Sequence, residues 1–580
     1  MTEFPTPAVG IDLGTTYSTI ACLNDHGEPI TVPNIDGEFS TPSVLLYENG
    51  EVIVGTHALR TAVANPERVI QESKRFMGDD EKQWVIDGRT FTPVDVAAEI
   101  LGFLLATVEQ QTGPVKHAVI TVPVMFGDAQ RRATIEAAHL AGLEKVDLIN
   151  EPVAAALCHV LGSEGLWFTE LAETQRIFVF DLGGGTLDLS IVQYNPQSVS
   201  VIAGAGDLKL GGNDWNRRLI GGLSKEFERE FGSDPKSDLS SLQTLTNEIE
   251  AAKRSLTSRN RVPVTIQHGG ERKTYEVRRE QFERMTAKLV ERAEKRTLAL
   301  LKRKKFGWAH IDTVLTTGGA SRMPMIREML KRLSGTTLNT ALSPDLSVAH
   351  GACYFAGILL SNNDFARSLI SSEQAAENSR QVSARTIAMK QVSGRSLGVL
   401  VRDTSGHRLI PHYVIPKDTP LPAEVTFEVA TIIPSQKQVR LPVIEEQEDE
   451  PDSASQFNPI GRCELIDLPA GLDTGTPLDV TIRYDRNAVV NVTVKERSSG
   501  RTGDARLRAN HVDDSAPSNP PSSTPTADSI SLKNPPPKPR RTRTKPTTTA
   551  APSDRPSITE AGEEEFWQTV ARTGSRRRRK

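Results

Sequence analysis

Two stretches of the chain repeat one another in the order of their chemistry-bearing residues. Val9-Gly10-Ile11-Asp12-Leu13-Gly14-Thr15-Thr16 and Val179-Phe180-Asp181-Leu182-Gly183-Gly184-Gly185-Thr186 each pass from an apolar segment to an aspartate, one apolar residue and a Gly/Thr turn. Each then re-enters a strand-like run, Ser18–Leu23 after the first and Leu187–Val192 after the second, so each predicts a β-hairpin closed on glycine. Glycine has no Cβ, so backbone N–H groups in such a turn can approach phosphate oxygens closely. Threonine hydroxyls add donors, and an aspartate at the strand end can hold a hydrated Mg²⁺, which keeps several of its waters. One glycine turn alone is usually an ordinary turn; two copies in the same order, facing each other, would grip a polyphosphate from both sides.

Further residues suit the rest of a nucleotide. Glu250, Lys253, Arg254 and Thr257 fall at i, i+3, i+4 and i+7 within a helical pattern over Asn247–Ser258, a spacing that gathers them on one face. Long polar chains there could hold a base and ribose, although an exposed salt-bridged helix would read the same way. Gly318-Gly319 follows the apolar run Thr313–Thr316 and precedes a helical pattern with Pro324 in its first turn; paired glycines allow flat approach of a purine, or simply a tight turn. There is no GxxxxGK[ST], no GxGxxG with a downstream ribose acid and no protein-kinase motif set.

The elements that would position these groups alternate over residues 8–362. Val9–Ile11, Ala118–Val122, Ile177–Phe180 and Thr313–Thr316 read as strands, and Asp128–Ala141 and Pro324–Leu333 as helices, which predicts an α/β unit with mixed sheets. A polar connector spans about 363–394. From 395 to 498 short alternating runs (Val425–Ala430, Gln438–Val443, Leu478–Tyr484, Val489–Lys495) predict an antiparallel β unit, with the acidic run Glu445–Pro451 as a solvated loop. Residues 499–580 are rich in Pro, Ser, Thr, Lys and Arg and predict a disordered tail, whose basic clusters could contact anionic partners.

Composition narrows the class. The 580 residues carry a formal net charge of −4, so no bulk polyanion binding and no specific nucleic-acid partner are expected. The four cysteines, Cys22, Cys158, Cys353 and Cys463, form no CxxC pair and read as reduced packing residues. Met1–Ala8 has no leader pattern and no apolar run reaches the ~18 residues of a membrane span, so a cytoplasmic setting is expected.

Three segments resemble the signatures of the Hsp70 family: Ile11–Ser18, Ile177–Asp188 and Val314–Pro324. Val119–Pro123 with Gln130–Thr134, and Asn150–Ala156, are similar to it as well, so that the likeness runs in order through nearly all of 8–360. The resemblance implies an actin-like (ribonuclease H-like, duplicated) two-lobed ATPase domain followed by a β-sandwich that binds peptide, in a cytoplasmic stress-response chaperone. It implies that Gly14, Thr15, Thr16 and Tyr17 line one phosphate loop and Gly183, Gly184, Gly185 and Thr186 the other. Asp12 and Asp181 would hold Mg²⁺ through water. Lys74, Glu151, Asp188 and Thr186 would be catalytic, with Lys74 reaching the γ-phosphate and either acid orienting the attacking water. Gly212, Glu250, Lys253, Arg254, Thr257, Gly318, Gly319, Arg322 and Asp345 would form the adenosine pocket, and Pro123 and Arg131 a relay to the substrate unit. ATP or ADP with Mg²⁺, unfolded or extended polypeptide clients, a J-domain co-chaperone and a nucleotide exchange factor are the implied cofactors and partners.

The sequence departs from the family pattern in three places. The linker, an acid-flanked leucine run in the family, is Thr386-Ile387-Ala388-Met389-Lys390-Gln391 here, which leaves open whether the two units are coupled. Groove residues cannot be assigned through His407–Pro451. No helical lid pattern follows the β unit, so fast peptide release is expected. Alternative readings are a nucleotide-switched interaction protein that folds no client, and, with less support, a sugar kinase or filament-forming ATPase of the same fold.

Overall fold

The computed structural model describes residues 7–24, 26–162, 174–195, 198–336, 338, 343–344, 346–361, 388–402, 409–446, 457–507 and 530–532. The repeated motif produces a repeated sheet. In the first lobe the strand order is Lys145–Asn150, His117–Val122, Val9–Asp12, Tyr17–Leu23, Pro29–Thr31. In the second it is Thr313–Thr317, Gln175–Leu182, Leu187–Asn195, Ser198–Asp207, Ala388–Lys390. Each motif strand has a parallel neighbour on one side and its antiparallel hairpin partner on the other. Asp12 and Asp181 therefore stand at equivalent places, at the carboxyl end of a central strand, where open α/β sheets bind ligands. Both strands are covered on both faces, so Val9, Ile11 and Ile177 to Phe180 read as continuous apolar runs.

Helices Glu151–Leu161 and Ser347–Ser361 pack between the lobes, against Val119, Ile149, Ile177, Val179 and Leu315. They can do so because the contact is made by glycine. A Cβ on Gly351 would lie 1.7 Å from the carbonyl oxygen of Ala154, and one on Gly10 2.1 Å from the amide nitrogen of Cys353. No helix among the described residues is long and apolar enough to cross a membrane.

The β unit starts from Leu397–Arg402 and packs Leu397, Val399, Val443, Val480, Ile482 and Val494 into one core. The alternating runs read from sequence are its strands Ala423–Thr431, Val439–Glu446, Pro477–Tyr484 and Val490–Glu496. Pairing continues past residue 498: Thr502–Arg506 lies between Val490–Glu496 and Phe457–Leu465, and Ile530–Leu532 pairs with Ala423–Thr431. These short strands come from a stretch whose composition predicts disorder. Their pairing is made by backbone groups, which composition does not report; the rest of the expected tail lies outside the described residues.

Two other expectations change. Ala388–Lys390, in the polar connector, is a strand added in parallel to Ser198–Ser200 at the edge of the second-lobe sheet. Lys390 is exposed there, and strand addition asks only for main-chain groups, so the lysine is tolerated. The acidic run is not wholly a solvated loop. Glu445 and Glu446 belong to strand Val439–Glu446, and Glu445 is buried, accepting a hydrogen bond from the Asp128 amide at 3.1 Å. A charge run is solvated by default, but this carboxylate has partners on the first lobe that lie 317 residues away in sequence. Residues 447–451 lie outside the described residues.

Replacing Gly351 by alanine forces the two interlobe helices apart. The variant is expected to lose about 1–3 kcal/mol of stability, the usual cost of overpacking. Urea unfolding followed by tryptophan fluorescence measures this, and an unchanged midpoint would contradict the packing account.

Candidate nucleotide-binding cleft

The two hairpin turns meet at the bottom of a cavity of about 440 Å³, a size suited to a small-molecule ligand. They touch because of what their glycines lack. A Cβ on Gly184 would fall 2.0 Å from Thr16 Oγ1, and one on Gly185 would fall 2.5 Å from Thr15 Oγ1. Helix Gly212–Phe231 begins at the same point, its Gly212 amide donating to the Gly183 carbonyl at 2.9 Å and that of Asn213 to Gly184 at 2.9 Å. The cleft floor is thus two glycine turns and the amino end of a 20-residue helix, a setting that favours anions.

Charge in the cleft is lopsided. Lys74 is buried and its Nζ lies 2.6 Å from Glu151 Oε1, with both side chains less than a tenth exposed. Burial alone would depress the Lys74 ammonium, but Glu151, Asp12 and Asp188 together outweigh it and hold the group above its ordinary value. The carboxyls respond in the opposite sense. Burial, then the charges of Glu151, Asp188 and Asp12, raise Asp181 well above the carboxylate range. Burial and Glu151 push Asp188 up to about 8. Asp188 is placed by the Val124 amide, which donates to Oδ1 at 2.8 Å, and Asp12 by Thr121, whose hydroxyl donates at 3.0 Å. Asp188 Oδ2 and Thr16 Oγ1 are buried with no hydrogen-bond partner among the described residues. One ammonium facing four acids, with buried oxygens left over, suits a hydrated dication. No three such side chains among the described residues converge to hold an ion directly.

The opposite wall comes from helix Leu239–Ser255. Glu250 receives hydrogen bonds from Lys253 at 2.7 Å, Arg254 at 2.8 Å and Asn216 at 2.7 Å. These donors overcome the cost of burial and bring the Glu250 carboxyl down to about 2. The Arg254 guanidinium lies over the Tyr17 ring, 5.2 Å from its centroid, and so joins the two walls. The helix stops at Ser255, one turn short of the sequence pattern; Thr257 still reaches the cleft from the turn beyond, its hydroxyl donating to the Arg254 carbonyl at 2.6 Å. Gly318 has a φ of 76° and sits so close to the second hairpin that a Cβ would meet Asp181 Oδ1 at 2.4 Å.

Of the residues singled out by sequence, Asp12, Gly14, Thr15, Thr16, Tyr17, Lys74, Glu151, Asp181, Gly183, Gly184, Thr186, Gly212, Glu250, Lys253, Arg254, Thr257, Gly318, Gly319 and Arg322 line this one cavity. Gly185 and Asp188 lie just behind it, in contact with Thr15 and Val124. Asp345 lies outside the described residues. Sequence reasoning missed Asn213 and Asn216, and also the bridge formed by Arg75, whose guanidinium donates to the Gly185 carbonyl at 3.0 Å and pairs with Asp214 at 3.2 Å. Arg75 follows Lys74 directly, but nothing in the sequence connects it to Asp214.

Pro123 sits between Thr121 and Val124, which hold Asp12 and Asp188 of the cleft, whereas Arg131 faces the β unit. Arg131 is fully buried, donating to the Phe126 carbonyl at 2.9 Å, to Asn150 Oδ1 at 2.9 Å and, in the β unit, to the Asn487 carbonyl at 3.3 Å. Around it, the Val490 amide donates to Asp128 Oδ1 at 2.7 Å, the Leu148 amide to Asn487 Oδ1 at 3.0 Å and the Gln391 side chain to the Leu148 carbonyl at 3.0 Å. Lys145–Asn150 is an edge strand, and the β unit with its linker satisfies both main-chain groups of Leu148.

Comparison with known proteins agrees with this architecture. The family described as Hsp70 protein matches residues 8–517. The chain belongs to the Hsp70 family. It is 34% identical over 502 residues to the chaperone protein DnaK of Thermotoga neapolitana, covering 85% of this chain and 79% of that one. Identity and coverage are the same against the DnaK proteins of Thermotoga petrophila and Thermotoga maritima. This Hsp70 is accordingly an ATPase and an ATP-dependent molecular chaperone, of mixed α/β construction with a β-sandwich.

The turn-to-turn contact makes a sharp contrast between two glycines. Gly184→Val should reduce adenine-nucleotide affinity by at least about 100-fold, because the side chain must separate the turns. Gly221→Ala, at a helix position with open space around it, should leave affinity unchanged and add up to about 1 kcal/mol of stability. Titration calorimetry on both variants reads the difference; equal affinities would overturn the assigned role of the turns.

Proposed function

We propose that the cleft binds ATP with Mg²⁺ and hydrolyses it, and that nucleotide state sets the affinity of the β unit for unfolded or extended polypeptide in the cytoplasm. The observation that carries this reading is the meeting of two glycine turns under a buried Lys74–Glu151 pair, with three further acids around it.

The turn amides and the Thr15, Thr16 and Thr186 hydroxyls are suited to phosphate oxygens. Asp12 and Asp181 would hold Mg²⁺ through its waters, the ion supplying charge neutralisation on the phosphates. Once a dication is present, Asp181 loses the reason to keep a proton. Lys74 then offsets charge developing on the transferred γ-phosphoryl, while Glu151 or Asp188 aligns the attacking water. Glu151 touches Lys74 directly, so aligning water and orienting the ammonium are linked. Glu250, Lys253, Arg254, Thr257, Gly318, Gly319 and Arg322 bind the adenosine, with Asp345 assigned to the same pocket by family resemblance. No covalent intermediate on the protein is required.

Coupling to the β unit is supported by three contacts: the linker strand on the second-lobe sheet, Arg131 across to Asn487, and Asp128 between Glu445 and Val490. A nucleotide-driven change of angle between the lobes would strain all three. An apolar polypeptide bound to the β unit would in return act on the cleft, since coupling between two sites is reciprocal. A J-domain co-chaperone and a nucleotide exchange factor are the partners that family membership supports.

Lys74→Ala should keep Mg-ATP binding while lowering turnover by at least about 100-fold, the scale of losing one aligned electrostatic group. Single-turnover hydrolysis is the check, and unchanged turnover would remove Lys74 from the mechanism. In the wild-type chain, an unfolded apolar peptide should stimulate steady-state ATPase. In Asp128→Ala that stimulation should fall severalfold with the basal rate retained. Absence of stimulation in the wild-type chain would favour an interaction protein over a client-folding chaperone.

A further inference from the structure

The β unit contains a slot one strand wide, and the chain fills it with a piece of its own tail. Strands Leu397–Arg402 and Ala423–Thr431 are not hydrogen-bonded to each other. Leu397–Arg402 pairs with Val439–Glu446 only over Leu397 to Val399, and beyond that point its side is open. Ile530–Leu532 occupies the gap: Ser531 is in parallel register with Arg402, and antiparallel register puts Leu532 opposite Val429, Ser531 opposite Ala430 and Ile530 opposite Thr431. The insert closes the nine-stranded sheet upon itself. It joins the unit after a gap of 23 residues from the end of Thr502–Arg506, whereas the other strands of the unit follow one another within Leu397–Arg506.

The inserted sequence has the pattern of what such a slot would accept. Ser529-Ile530-Ser531-Leu532 alternates polar and apolar residues with the period of a strand, in a tail that is otherwise mostly Pro, Ser, Thr and basic residues. An extended peptide that adds a strand gains main-chain hydrogen bonds from the sheet and selectivity from alternate side-chain positions. Strands next to one another in a sheet stand ~4.8 Å apart, so a gap between two edges holds one added strand and not two. A client entering here and the tail strand cannot be present together.

We infer that Ile530–Leu532 is an internal competitor for the polypeptide site, an in-cis occupant that an extended apolar client must displace. This rests on the reading of the β unit as a peptide-binding module. A connection of about 20 residues holds its end at a local concentration on the order of millimolar, so even a weak three-residue strand competes with client at micromolar levels. The chain would thereby set a threshold on client affinity: segments that merely match the tail stay out, and better ones enter.

The test uses the full chain and two variants, Ser531→Pro, which removes a donor and cannot lie between two strands, and Ser531→Ala, which keeps the backbone donor. Amide hydrogen exchange reads occupancy, and anisotropy of a fluorescent apolar heptapeptide reads competition. Protection at Ile530–Leu532 and along Val429–Thr431 is expected in the wild type and Ser531→Ala, and its loss in Ser531→Pro. Heptapeptide affinity should rise about 10-fold in Ser531→Pro alone. Absence of protection in the wild type, or protection that grows with protein concentration and so comes from a second copy, overturns the in-cis strand. Protection with equal peptide affinity in all three chains overturns the competition. If the tail is protected in the wild type and Ser531→Pro binds no peptide at all, what fails is the peptide-binding reading of the β unit, and the competition with it.

Discussion

A buried excess of carboxylate over ammonium governs the cleft. Asp12, Glu151, Asp181 and Asp188 converge on Lys74 from both lobes, and all but the half-buried Asp12 are buried, which leaves little water to screen them. Low local polarizability makes like charges costly at short range. Asp181 and Asp188 answer by drifting toward protonation. A site so arranged gains by taking up positive charge, and the glycine turns beside it gain by taking up negative charge. A metal–polyphosphate pair satisfies both at once, which neither a simple anion nor a simple cation would do.

Bringing those acids together requires that the hairpin turns of two sheets meet closely, with glycine on one of the two meeting surfaces. Gly184 and Gly185 allow the turns to touch, Gly318 allows the third motif to reach Asp181, and Gly10 and Gly351 let the interlobe helices lie flat. None of these positions tolerates a Cβ without moving backbone or a buried oxygen. The glycines thus carry the geometry and the acids carry the electrostatics, and each set is of no use to the site without the other.

The contact between the ATPase unit and the β unit is polar and follows from unfilled main-chain groups. Leu148 on an edge strand and Asp128 at a helix start each need partners, and the β unit supplies them through Asn487, Gln391 and Val490. Glu445 is pushed upward by its burial and drawn back by Arg395, and it reaches Asp128 only because a Cβ on Gly127 is absent from its path. Contacts of this kind break and re-form with small rotations more readily than an interdigitated apolar core does, which suits a junction that reports nucleotide state.

The amino-acid sequence by itself determined the paired hairpins, the α/β then all-β order and most of the cleft: glycine, aspartate and threonine are constrained so locally that their order reads as a phosphate turn. Lys74 and Glu151 were legible only through resemblance, since nothing local ties residues 77 apart. Arg75 with Asp214, the burial of Glu445, the docking of the linker and the strand at Ile530–Leu532 were settled by tertiary structure alone. Those features depend on which backbone edges and buried charges meet across long separations. A one-dimensional pattern records the type of each group but not its neighbours, so the tail read as polar and the acidic run as a loop until the fold brought their partners to them.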